Sequence, residues 1–160
     1  EDADALYLKN QRQWVGRYLR ENLGGNLDIY RNAAFLTLDT DDCYGNVHPR
    51  DAQISESVLI VCAEIQRQLA EGQLELQEDE CIAMTKQAFF RIITNCRNKW
   101  KNAWSKEYCE MDEDRLVETI LKYMTDWMMV RSKEERITVL PAVGRLAGQY
   151  PSDYKGDGEQ

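Results

Sequence analysis

The chain has 160 residues, 43% of them apolar and 30% charged, with a formal net charge of −8. That length can hold a full hydrophobic core without a metal or disulfide staple, and the composition is not that of a disordered chain. The longest apolar run, VLIVCA at 58–63, is too short to span a bilayer, and the acidic total disfavours a nucleic-acid binder, whose affinity comes largely from phosphate neutralisation.

No secretory signal opens the sequence, and Glu1 in the place of Met points to a piece of a longer protein. Cys43, Cys62, Cys81, Cys96 and Cys109 are odd in number and form no CxxC pair. Free thiols in a reducing intracellular compartment, nuclear or cytoplasmic, are the expectation.

Apolar spacing is helical along most of the chain. In the first segment, Tyr7, Leu8, Trp14, Val15, Tyr18 and Leu19 share one face, with Lys9, Arg12, Arg17 and Arg20 mostly on the other. Gly24 and Gly25 supply a left-handed stop. Leu27, Tyr30, Ala34 and Leu38 fit a second helix at i, i+3, i+7 and i+11, although FLTL alone suits a strand. Residues 39–51 read as a polar loop. From Ser55 to Glu71, the residues Val58, Val61, Cys62, Ile65 and Leu69 line one face. Leu59 and Ile60 fall outside it, which predicts a central helix surrounded by others.

A long helix is predicted from Asp79 to Lys106. Phe89, Ile92, Ile93, Cys96, Trp100, Ala103 and Trp104 share one arc, whereas Arg91, Lys99, Lys101 and Lys106 fall elsewhere. The tryptophans are therefore expected to anchor the core rather than stack on bases. A further helix opens on Asp112, Glu113 and Asp114, residues favoured by the helix dipole. It continues through Leu116, Val117, Ile120, Leu121, Met124, Trp127 and Met128. Ser132 and Glu135 have capping-box spacing and predict a last helix, divided or kinked at Pro141. The expected fold is a single all-α bundle of five to seven helices over residues 1–150, followed by a flexible polar tail over 151–160.

Chemistry finds little support. His48 is the only histidine. A dyad with Cys43 can be drawn, but proximity in sequence is not geometry. The acidic loop from Asp39 fails the EF-hand pattern, with Gly45 at position seven and Arg50 at position twelve. Zinc spacing, a phosphate loop and a dinucleotide fingerprint are absent from the sequence, so neither a metal nor a cofactor nor catalysis is expected.

What remains is surface. Aromatic Tyr7, Trp14 and Tyr18, and the cluster Met124, Met128 and Met129 beside Trp127, have the adaptable character of protein-binding faces. The expected function is a non-catalytic scaffold or adaptor domain whose partner is another protein. The alternative is a nucleic-acid module using Arg91, Asn98, Lys99, Lys101 and Lys106, with chemistry suited to bases and phosphates. A secreted helical effector is a third reading, disfavoured by the odd cysteine.

Overall fold

The structure, a computed structural model, describes residues 3–31, 33–39 and 47–148. It divides the chain into two compact units, Glu1–Val47 and His48–Gln160. The tail expected over 151–160 lies outside the described residues.

The first unit holds α1 (Ala3–Asn10), α2 (Arg12–Leu23), β1 (Gly25–Ile29) and β2 (Ala34–Leu38). Gly24 ends α2 at φ +60° and donates its N–H to the Arg20 carbonyl at 3.1 Å. The chain then enters a hairpin rather than the helix expected over 27–38. β1 pairs antiparallel with β2, Leu27 opposite Leu36 and Ile29 opposite Ala34. Leu27 and Ile29, like Leu36 and Leu38, alternate at spacing two, and that period outweighs the coincident helical one. Gly25 is required at its position. A Cβ there would stand 2.9 Å from the Thr37 carbonyl oxygen.

The second unit holds α3 (Gln53–Ala70), β3 (Ile82–Thr85), α4 (Lys86–Lys99), α5 (Lys106–Glu110), α6 (Glu113–Asp126), β4 (Val130–Lys133) and β5 (Arg136–Val139), closed by a 3-10 turn at Pro141–Arg145. The three strands form an antiparallel sheet in the order β3-β5-β4. α3 packs on α4 and α6, and the core gathers Val58, Val61, Ile65, Phe89, Ile93, Leu116, Ile120, Ile137 and Val139. The fold is thus mixed α and β with two sheets, not the expected all-α bundle.

Two expectations fail in this unit for physical reasons. The helix predicted from Asp79 to Lys106 is interrupted at both ends. Ile82 and Met84 are buried while Ala83 and Thr85 are exposed, the alternation of a strand. Thr85 then caps α4, its hydroxyl accepting the Ala88 N–H at 3.1 Å. α4 ends at Lys99, and Ser105 caps α5 separately. The Ser132–Glu135 box starts no helix. It lies at the β4–β5 turn, where Glu134 adopts φ 53°, and the burial of Ile137 and Val139 fixes the strand register.

In this unit a helix, a strand, three helices and a hairpin follow in order, with the first strand paired to the last. No helix among the described residues is long and apolar enough to cross a membrane.

Candidate functional site

α1 and α2 meet at Gln11, whose φ of −107° and ψ of 16° interrupt the helix. Its N–H donates to Tyr7 at 2.9 Å and its carbonyl accepts from Val15 at 2.9 Å. Neither helix buries a side chain fully. Trp14 is 58% exposed, Tyr7 55%, Tyr18 52% and Leu6 45%. The Trp14 and Tyr18 rings, one helical turn apart, stack with centroids 5.6 Å apart and planes 17° apart. Helical spacing brings Tyr7, Trp14 and Tyr18 to one face; the exposed Leu6 precedes Tyr7 on α1 and was not among the residues that spacing singled out.

The cations stand closer to these rings than the helical wheel suggested. Lys9, Arg12 and Arg17 border a depression of about 350 Å³ that Trp14 also lines. The signal was available in the i, i+3 spacing of Trp14 and Arg17. Arg12 and Arg17 make no hydrogen bond or ion pair among the described residues. Arg20 is used within the fold. It donates to Asn26 Oδ1, whose amide donates to Asp39 at 2.8 Å, tying α2 to the hairpin.

The methionine cluster does not form one surface. Met124 and Met129 are fully buried in the core, and Met128 alone is exposed, at 60%. Trp127 packs instead against His48, centroids 5.5 Å apart.

The basic residues of the alternative reading are also dispersed. Arg91, Asn98 and Lys99 are exposed on α4, Lys101 lies in the turn that follows, and Lys106 opens α5, where it faces Glu110 at 3.8 Å. Lys99 covers the half-buried Trp100 ring at 5.4 Å. Arg97, at the edge of the predicted apolar arc, is buried. It donates to the Met111 carbonyl at 2.9 Å and to Glu113 at 2.7 Å, bracing α4 against the start of α6. The exposed face of α6 carries Glu113, Asp114, Glu118 and Asp126, with Asp112 as its N-cap, against Arg115 and Lys122.

His48 joins no cysteine among the described residues; Cys43 lies outside them. Its Nδ1 stands 3.1 Å from Tyr123 Oη and 3.2 Å from Ser55 Oγ. Ser55 is fully buried and accepts the Arg50 N–H at 3.0 Å. Nε2 is buried without a partner among the described residues. A serine–histidine pair built for attack has an orienting acid on the far ring nitrogen and an accessible hydroxyl. Here both hydroxyls meet the same nitrogen, so the cluster is a clamp that fastens the entry of α3 to α6. Burial lowers the His48 pKa.

Burial pushes the thiols of Cys62 and Cys96 up to about 12, which keeps both protonated and poor as nucleophiles or ligands. The hydrogen bond from Arg67, with its charge, holds Glu64 down at about 2. Among the described residues no cluster of three metal-ligating side chains occurs.

No curated protein matches the chain. A family match runs over residues 1–149, nearly the whole length. The chain belongs to the family described as a protein of unknown function, DUF2398.

Proposed function

We propose that this chain is a non-catalytic protein-interaction module, a scaffold or adaptor of a larger assembly, that docks its partner on the exposed face of α1 and α2. One observation carries the reading: Trp14 and Tyr18 lie stacked and uncovered on α2, and Leu6 and Tyr7 are exposed on α1, helices with no fully buried side chain. Grouped aromatics exposed in this way mark association surfaces. The free thiols of Cys62, Cys81, Cys96 and Cys109 favour an intracellular, nuclear or cytoplasmic site of action over a secreted effector.

Affinity purification of the full-length protein from its native cells tests this, comparing wild type with Trp14→Glu/Tyr18→Glu. The expected result is a defined co-purifying protein, reduced about tenfold or more in the variant, while the thermal transition stays unchanged. Equal recovery from both proteins would refute the reading.

A second reading has one observation in its favour: the order of the larger unit, helix, strand, helices and hairpin with the first strand beside the last, resembles a winged helix-turn-helix, in which the α6 position commonly enters a DNA groove. That is an analogy of fold. Four carboxylates and the N-cap Asp112 against two cations on α6 repel a polyanion, and the cations of α4 and α5 lie on separate elements. Nucleic acid therefore ranks second to protein.

A further inference from the structure

Resting on the interaction reading, we infer that the partner segment is an acidic amphipathic helix, seated along α1 and α2 with its apolar side chains on Trp14 and Tyr18 and its carboxylates on Arg12 and Arg17. The charge of the surface selects this chemistry. α1 and α2 carry four cations, Lys9, Arg12, Arg17 and Arg20, and two carboxylates, Asp4 and Glu21, within a chain of net charge −8. The positive excess is concentrated where the aromatic rings are. Arg20 is held by Asn26, which leaves Arg12 and Arg17 as guanidinium groups not paired within the described residues. Guanidinium forks flanking an aromatic anchor favour carboxylates, which they bind in pairs.

Shape agrees with a helix. α2 alone, twelve residues from Arg12 to Leu23, is about 18 Å long at 1.5 Å per residue. A partner helix of some sixteen residues spans it from end to end. Half-buried Leu8, Val15 and Leu19 offer aliphatic contacts that a nucleic acid would not use. The mutual stacking of Trp14 and Tyr18 also occupies ring faces that bases would need. Coulomb attraction at this rim steers the encounter, and the rings hold the complex.

The test is selection from a displayed library of random peptides of about sixteen residues, enough to span the surface as a helix. The full chain is the bait, as wild type and as Arg12→Glu/Arg17→Glu. Poly-dT binding and sedimentation of the chain alone run beside it. The expected result is enrichment of acidic peptides with spaced aromatic or large aliphatic residues. Their affinity should fall about tenfold or more in the double variant, with selection on that variant turning toward basic peptides. Trp14→Ala should weaken the same peptides without changing their charge preference.

Enrichment indifferent to charge would overturn the proposal, as would no enrichment. So would tight poly-dT binding lost in the double variant, or self-association blocked by it, since each names a different occupant. If selection fails while Trp14→Glu/Tyr18→Glu still loses the native partner, the acidic assignment falls and the interaction reading stands. If the native partner is also retained, both fall.

Discussion

Residues 48–148 bury most of their large apolar side chains, whereas the described residues of 3–39 leave theirs exposed or half-covered. In the larger unit Phe89, Ile65, Ile93, Leu116, Ile120 and Met124 are fully enclosed. In the smaller one Gly25 alone is buried among the described residues, and Trp14 and Tyr18 stand more than half exposed. Both units contain amphipathic helices of similar strength in sequence. Periodicity shows that a helix has an apolar face, but not what covers it. A unit of under fifty residues has too little volume for a full core. The smaller unit relies instead on hairpin pairing, the Arg20–Asn26–Asp39 chain of hydrogen bonds and half-buried Leu27, Ile29 and Leu38.

The largest effect should come from breaking the covered side of the comparison. Phe89→Ala removes a ring with 0% exposure from the junction of α4 with the core. It should cost about 3–5 kcal/mol of unfolding free energy, transfer and cavity terms together. Urea denaturation followed by circular dichroism measures it. A loss below about 1 kcal/mol would mean that this core is far looser than its burial implies.

The sequence disclosed the α3 and α4 core faces because each has a single dominant period. Val58, Val61, Cys62 and Ile65, then Phe89, Ile92, Ile93 and Cys96, are buried as their spacing predicts. Strands of four or five residues were hidden, since so short a run fits either period. The β1–β2 hairpin and β3 were masked by helical coincidences in their flanks, and β4–β5 by a chance capping box. Of the surface residues, Tyr7, Trp14 and Tyr18 were legible because helix geometry alone places them together. Met124 and Met129 were not, because a face is assigned as core or surface only by what packs on it. Met128 left that stripe when the helix stopped at Asp126 and the backbone turned to φ 54°.

A smaller effect, confined to the larger unit, should appear with pH. His48 is the only histidine in the chain, and desolvation lowers its folded pKa. The unfolded value is about 6.5, so between the two values the unfolded chain binds the proton and the folded chain does not. Unfolding free energy therefore rises with pH through this window. The contribution of neutral His48 is fully present above about pH 6.5 and declines as pH falls below it. Denaturation curves taken across this range should show the slope in wild type and a flatter profile in His48→Gln, with the carboxylates titrating lower. A wild-type profile already flat would mean that the clamp accepts the charged ring.

The smallest expected effect is the sharpest measure of the difference between the units. Trp14→Ser/Tyr18→Ser deletes two of the largest side chains in the protein, yet unfolding free energy should change by no more than about 0.5 kcal/mol, the usual range for substitutions at the surface. The stacked pair does gain some contact energy, of order 0.5–1.5 kcal/mol for an aromatic pair in general. Here both rings remain more than half exposed, and their removal also relieves water of apolar area it now hydrates. Serine lowers helix propensity by a few tenths of a kcal/mol per position, a cost in the same small range. The same urea titration that resolves Phe89→Ala is sensitive enough to see the contrast. A loss of about 2 kcal/mol or more would show that these rings are covered in the folded protein in solution. The α1–α2 face would then be a core element of the chain rather than a surface offered to a partner.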